Sequence, residues 1–202
     1  MMTEQMSVKI AALPSLRLTV EAHGLMAKKA LGQNFLLDQN ITDKIINLSL
    51  QKQNKKDFSG ANVFEVGPGP GGLTRAVLAA EPKSLTVVEM DERCIAIMNE
   101  IKEKTGDILH IINGDAMQTD FSVLAPAPRH IISNLPYNIS VPLLVGWLKN
   151  INAYDSLTLM FQKEVAERIT APIKTKDYGR ISVLSQLQCR IDHLLDLNPC
   201  CF

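Results

Sequence analysis

The chain has 202 residues, of which 46% are hydrophobic and 21% charged, a balance typical of a soluble globular protein with one substantial core. Its 21 basic and 21 acidic side chains cancel, and this zero net charge argues against a protein that coats long stretches of nucleic acid. No apolar run is long enough to span a bilayer, so we expect no membrane association.

Helical and strand patterns alternate along the chain. A helix is predicted over residues 38–51, with Asp38 as its N-cap and an apolar stripe on one face. Further helices are predicted over residues 73–80, 92–104, 142–148, 165–170 and 181–187. Strands are predicted over residues 61–66, 85–89, 108–112, 129–133, 156–161 and 189–197. This order predicts an α/β fold with a doubly wound, mostly parallel sheet, which binds ligands at the carboxyl ends of its strands.

A glycine-rich turn follows the first predicted strand. Residues 67–72 match the loose pattern G-x-G-x-x-G, whose glycines let the backbone approach a ligand closely. Such a turn serves either a nicotinamide cofactor or S-adenosylmethionine. Pro68 and Pro70 cannot donate an N–H group to a pyrophosphate, which favours S-adenosylmethionine, although a purely structural turn is the alternative.

Acidic residues mark three strand ends. Glu65 precedes the glycines on the first strand, where it would orient the turn or contact the cofactor's amino group, or would only support residues that do. Glu89 ends the second predicted strand, 22 residues after Gly67, and suits the two ribose hydroxyls of a cofactor. Asp115 follows the third strand and would accept from the cofactor's adenine amine. The alternative for Glu89 is a surface glutamate before a helix, and the alternative for Asp115 is an ordinary turn aspartate.

The tetrapeptide Asn134-Leu135-Pro136-Tyr137 follows the fourth predicted strand and is suited to gripping an exocyclic amine. The Asn134 side chain and the Leu135 backbone carbonyl offer two hydrogen-bond acceptors, and Pro136 stiffens the turn. Tyr137 supplies an aromatic face on which a flipped-out base can stack. The pattern predicts methylation of an adenine amine, and a β-turn with a buried tyrosine is the alternative.

The cysteines and histidines form no recognisable site. The four cysteines show no C-x-x-C pairing and have no histidine at metal-ligand spacing. The four histidines lie in unrelated contexts. We therefore expect no metal, no disulfide framework and no catalytic triad.

Seven segments together resemble the ribosomal RNA adenine dimethyltransferase family, most closely its small-subunit (16S) branch. They are residues 28–36, 65–74, 88–91, 114–116, 134–140, 162–168 and 178–183. The resemblance covers roughly residues 13–202, and its first and last segments are far more specific than the glycine turn.

The resemblance implies a Rossmann-like class I methyltransferase that uses S-adenosylmethionine. The implied activity is dimethylation of two adjacent adenosines in small-subunit RNA during assembly of the small ribosomal subunit, by a cytoplasmic monomer. The residues implied as cofactor contacts are Asn34, Leu36, Gly67, Glu89, Asp115 and Asn134. Residues 1–26 are expected to form an N-terminal arm and residues 27–202 the catalytic domain.

Family members continue beyond residue 202 with a further strand and a small helical domain, so we expect a catalytic domain that is C-terminally truncated relative to the family. Phe202 matches an aromatic residue that stacks on the target base opposite Tyr137. Without the family's last strand, residues 189–197 are expected to be poorly ordered or paired with a partner chain.

Three other functions are alternatives for this sequence. One is the related large-subunit RNA methyltransferase of macrolide resistance, although residues 162–168 and 178–183 favour the small-subunit branch. Another is a catalytically silent, RNA-binding assembly factor. The least favoured is a nicotinamide oxidoreductase, because it would leave the tetrapeptide at residues 134–137 unexplained.

Overall fold

Five parallel strands form the central sheet of the structure, a computed structural model that describes residues 2–25, 35–198 and 201. The strands are β1 (Asn62–Val66), β2 (Ser84–Glu89), β3 (Leu109–Asn113), β4 (Arg129–Asn134) and β5 (Ser156–Met160). Each of them was predicted to within one residue at either end. All four pairings are parallel, in the order β3-β2-β1-β4-β5, which confirms the predicted parallel α/β fold.

Nine α-helices accompany the sheet in the described residues. They are α1 (Met2–Ala11), α2 (Leu16–Ala22), α3 (Gln39–Lys52), α4 (Gly72–Ala79), α5 (Glu92–Thr105), α6 (Phe121–Leu124), α7 (Ser140–Leu148), α8 (Lys163–Thr170) and α9 (Arg180–Gln188). Asp38 caps α3 as predicted, because its side chain accepts from the N–H of Asn40 at 2.9 Å. Helices α1, α2 and the single-turn α6 were not predicted. None of these helices is long and apolar enough to cross a membrane.

Successive residues of the strands pack on opposite faces of the sheet, as the period of a strand requires. On β1, Val63 joins the core formed with α3, α4 and α5, and Phe64 joins the core that contains Phe121 and Trp147 on the other face. Both faces are therefore covered by helices, and this explains why β1 is buried along its whole length.

The strand order places a crevice between β1 and β4. The chain builds the sheet outward from β1 through β2 to β3, and then returns to the opposite side of β1 with β4 and β5. Parallel sheets of this kind bind ligands where the order reverses, outside the carboxyl ends of the strands. The glycine turn leaves β1 at this point, and Asn134 is the last residue of β4.

The segment after α9 is not a strand, so that prediction was wrong. Residues 189–198 form no ladder with described residues and instead pass α3, where Arg190 donates to the Lys52 carbonyl at 3.3 Å. Asp192 pairs with Lys52 at 3.2 Å, and Leu195 packs against the core. Alternating apolar residues predict burial of one face of a segment. Here a helix supplies the covering surface in place of a neighbouring strand.

A buried histidine joins the amino ends of β4 and β5. His130 is fully buried, with one ring nitrogen 3.0 Å from Lys55 Nζ and the other 2.7 Å from Ser156 Oγ. An ammonium group can only donate hydrogen bonds, so the neutral His130 ring accepts from Lys55 and donates to Ser156. Burial and the Lys55 charge lower the pKa of His130 to about 4.

The stability that His130 contributes is therefore expected to fall as the pH is lowered from about 6.5 to about 4, because in this window the unfolded chain binds a proton that folded His130 does not bind. This contribution falls by about 2 kcal/mol in the free energy of unfolding between pH 7 and pH 5. Urea denaturation of the unmodified protein and of each variant at both pH values measures it as a difference. His130→Gln should remove this contribution, whereas His110→Gln, at an exposed position, should keep the pH dependence of the unmodified protein. Equal slopes in the two variants would contradict the assignment.

Candidate cofactor and substrate site

The glycine turn takes a backbone path that other residues rarely follow. Gly67, Gly69 and Gly71 have φ angles of 62°, 55° and 86°, in the left-handed region that favours glycine. The turn is also crowded. A Cβ on Gly69 would lie 2.7 Å from the Phe35 ring, and one on Gly71 would lie 2.7 Å from Ile101 Cδ1. Both conformation and space therefore require glycine here.

Gly69→Ala is expected to destabilise the protein by about 2–3 kcal/mol, since the strain of a left-handed alanine adds to displacement of the Phe35 ring. Gly60→Ala is the matched control, because Gly60 has a φ of 78° but no atom within 4 Å of a Cβ. It should show the conformational cost alone, about 1 kcal/mol. Urea denaturation compares them. Equal losses would show that Phe35 does not pack on Gly69.

The turn has few backbone donors to offer a ligand. Pro68 and Pro70 lack an N–H group. The Gly67 N–H donates to the Val88 carbonyl at 2.9 Å, and the Gly71 N–H donates to the Pro68 carbonyl at 3.0 Å. A pyrophosphate is normally held by several free N–H groups at such a turn. This turn fits a dinucleotide poorly and a phosphate-free nucleoside well.

The two sequence motifs meet in the structure. A Cβ on Gly67 would lie 3.3 Å from Pro136 Cγ, so the turn after β1 touches the tetrapeptide after β4. Gly67, Asn134 and Leu36 line one cleft, together with the buried carboxyl-bearing residue Glu65. Three of the predicted cofactor contacts are thus brought together at the reversal of strand order.

The tetrapeptide is anchored by its second residue. Leu135 is 1% exposed and packs in the core that contains Val66 and Val88 from the ends of the neighbouring strands. The Pro136 carbonyl accepts from the N–H of Ile139 at 3.1 Å, which closes the turn before α7. Tyr137, the predicted stacking residue, is half-buried. The tetrapeptide is therefore held rigidly at the crevice, and its predicted contacts with a base stay predictions.

Glu89 and Asp115 lie at the next two strand ends. The Glu89 carboxylate accepts from the N–H groups of Met90 at 2.8 Å and Asp91 at 3.0 Å. The Asp115 carboxylate accepts from the N–H of Met117 at 2.8 Å. The Gly114 N–H donates to the Glu89 carbonyl at 3.0 Å and ties the two strand ends together. Both carboxylates are held at the same edge of the sheet as the cleft, with one oxygen fixed by the chain.

Glu65 has a more unusual environment than its place in the sequence suggested. It is 1% exposed, and the Thr74 hydroxyl donates to it at 2.7 Å. Burial raises the pKa of Glu65 to about 8, helped by the charge of Glu89 and opposed by the hydrogen bond from Thr74. A protonated carboxyl group in the cleft would ionise readily beside a cationic ligand.

Sequence reasoning missed two contributors to this site. Thr74 fixes the Glu65 carboxyl group, and Phe35 covers Gly69. Both fall inside segments that carry the family resemblance, but no local pattern says which side chain they touch. Asn34 and Phe202, two predicted site residues, lie outside the described residues. In the described part of the chain, no cluster of three or more His, Cys, Asp or Glu side chains could hold a metal ion.

Comparison with known proteins identifies the family. The family model of ribosomal RNA adenine dimethylase matches residues 24–202. A ribosomal RNA small subunit methyltransferase A from Gluconobacter oxydans is 49% identical over 191 residues, which cover 95% of this chain and 61% of that protein. The chain therefore spans less than two thirds of the length of this relative.

Solved structures agree with this match. A dimethyladenosine transferase from Plasmodium falciparum superposes with a TM-score of 0.72 at 30% identity, over 84% of this chain and 58% of that one. The 23S rRNA methyltransferase ErmE superposes with a TM-score of 0.54 at 26% identity, over 75% of this chain and 55% of that one. This chain belongs to the ribosomal RNA adenine dimethylase family.

Proposed function

We propose that this chain carries the catalytic domain of an enzyme that methylates the exocyclic amines of two adjacent adenosines in small-subunit ribosomal RNA. The observation that carries the proposal is the meeting of Gly67 and Asn134 in one cleft, where the strand order reverses. The proposed substrate is the assembling small ribosomal subunit, and the proposed place of action is the cytoplasm. The name of the Gluconobacter oxydans relative supports the small-subunit assignment.

S-adenosylmethionine is the proposed cofactor, and the residues of the cleft fit it. When bound, it supplies a methyl group activated by a sulfonium cation. Glu89 would hold its ribose hydroxyls and Asp115 its adenine amine, while Gly67 and Leu36 line its place in the cleft. The shortage of free N–H groups in the glycine turn would weaken binding of a pyrophosphate, but S-adenosylmethionine has no phosphate and does not need them.

The tetrapeptide would prepare the substrate amine. An adenine amine is a poor nucleophile, because its lone pair is delocalised into the ring. The Asn134 side chain and the Leu135 carbonyl would accept hydrogen bonds from its two N–H groups and favour the pyramidal geometry that localises the lone pair. Transfer then depends on alignment, because the nitrogen becomes acidic once it carries the methyl group and loses its proton without a strong base. Tyr137 would stack on the extruded base.

The decisive experiment is methyl transfer from labelled S-adenosylmethionine to small ribosomal subunits that lack this modification, with the modified nucleosides identified by mass spectrometry. Dimethyladenosine at two adjacent positions is the expected product. Transfer to large-subunit RNA alone would favour the macrolide-resistance function. Binding of S-adenosylmethionine without transfer to either RNA would favour an assembly factor, and binding of a nicotinamide cofactor instead would overturn the proposal.

A further inference from the structure

The structure contains an N-terminal arm, defined as residues 2–25, that lies against the cofactor domain. Helix α1 contacts α4 and α5. Leu16 and Val20 of α2 are each 4% exposed, so the arm shares the core of the domain. The family model matches residues 24–202, whereas the alignment with the Gluconobacter oxydans relative covers 95% of this chain and so includes part of the arm. The arm therefore packs on the cofactor domain from outside the segment that the family model matches.

A buried cation attaches the arm to α4. Arg75 is only 5% exposed, and its guanidinium group donates to the Pro14 carbonyl at 2.6 Å and to the Thr19 hydroxyl at 3.3 Å. It forms no ion pair within the described ranges, and burial lowers its pKa. A buried charge without a countercharge is costly, and an apolar side chain would fill the same space more cheaply. What the guanidinium adds is a fixed position for α2 relative to α4.

That position matters because α2 reaches the wall of the cleft. A Cβ on Gly72, the first residue of α4, would lie 3.1 Å from Leu16 Cδ1 and 2.7 Å from the Leu36 carbonyl oxygen. The Gly72 carbonyl also accepts from the Gln39 side chain at 3.3 Å. Gly72 and Leu36 both line the cleft. The arm, the glycine turn and the segment that carries Leu36 therefore converge on one glycine.

We propose that the arm is a working part of the cofactor site, and that Arg75 is its positioning residue. By holding α2 against α4, Arg75 keeps Leu16 on Gly72 and so fixes the contact between Gly72 and Leu36 that shapes the cleft. Supporting residues of this kind set binding geometry without touching the ligand. The inference rests on the proposed use of S-adenosylmethionine.

The test compares two matched substitutions. Arg75→Met removes the guanidinium and keeps an unbranched apolar chain. Arg17→Met makes the same change on α2, where the side chain is 84% exposed and pairs with Glu21 on its own helix. Calorimetry, at a temperature where circular dichroism shows both variants folded, should give an S-adenosylmethionine dissociation constant raised about tenfold by Arg75→Met. Arg17→Met should leave it unchanged within about twofold.

Hydrogen exchange of the ligand-free proteins supplies a readout independent of the cofactor. Peptides that cover residues 35–42 and 67–75 should exchange faster in Arg75→Met than in Arg17→Met. If Arg75→Met does not fold, Thr19→Val removes one of the two acceptors and keeps the guanidinium, and it should weaken binding about threefold. Equal affinity and equal exchange in the arginine variants would overturn the inference while leaving the proposed function intact. Failure of the unmodified protein to bind S-adenosylmethionine would refute the proposed cofactor. The exchange comparison would still test whether Arg75 holds α2 against α4.

Discussion

Asn134→Ala is expected to lower the rate of methyl transfer by about 10²–10³-fold, the usual cost of removing one preorganised polar group from a reaction centre. Asn134 is the last residue of β4 and lines the cleft beside the glycine turn, so the strand places its side chain at the site before the substrate arrives. Alanine keeps the strand but removes the acceptor. Single-turnover transfer to unmodified small subunits measures the effect without interference from product release.

The control for this substitution is Asn138→Ala. Asn138 lies four residues further on, in the same connection, and is exposed. It should transfer methyl groups at the unmodified rate. Because Asn134 also lines the proposed cofactor cleft, the S-adenosylmethionine affinity of both variants must be measured separately. A full transfer rate in Asn134→Ala would remove this residue from the chemistry, and a loss confined to affinity would make it a cofactor contact alone.

Glu65→Gln is expected to abolish a loss of stability at alkaline pH. Burial raises the pKa of Glu65 from 4.5 to about 8, so its stabilising proton is fully present below pH 4.5 and is lost as the pH rises through 8. Between pH 6 and pH 9, the ligand-free protein should lose about 3 kcal/mol more unfolding free energy than Glu65→Gln. Glutamine cannot ionise, and its carbonyl oxygen can still accept from Thr74.

Urea denaturation of the ligand-free proteins at pH 6 and pH 9 measures this difference. Glu103→Gln, at an exposed position of α5, is the control and should keep the pH dependence of the unmodified protein. An identical dependence in Glu65→Gln would show that the buried carboxyl group is not protonated at neutral pH.

The same proton should report on the ligand. A cation bound beside Glu65 favours the ionised carboxylate, so S-adenosylmethionine binding at pH 7 should release up to about one proton. Calorimetry in two buffers of different ionisation enthalpy detects that release. Glu65→Gln should bind more weakly and release no proton, and an unchanged release would assign the proton to another group.

Most of the regular structure follows from local physical chemistry. Strand and helix periods predicted all five strands of the sheet, and Asp38 marked the start of α3 because an aspartate at that position satisfies a free backbone N–H group. The glycine turn was also readable, since closely spaced glycines and prolines restrict the chain to very few conformations. Each of these signals acts over a few neighbouring residues.

Long-range packing decided the rest. The strand order sets Gly67 beside Pro136, and no local pattern contains that contact. The wrong strand prediction over residues 189–197 has the same origin, because an alternating apolar pattern does not name the surface that covers it.

Charge and protonation depend on packing as well. Burial in the folded chain raises the pKa of Glu65, and Arg75 is tied to the arm because α2 folds back on α4. The residue types and their spacing indicated a site that binds a nucleoside and methylates an amine. Which side chains are buried, and which segments support the cleft from behind, depends on distances across the fold, which the order of residues along the chain does not contain.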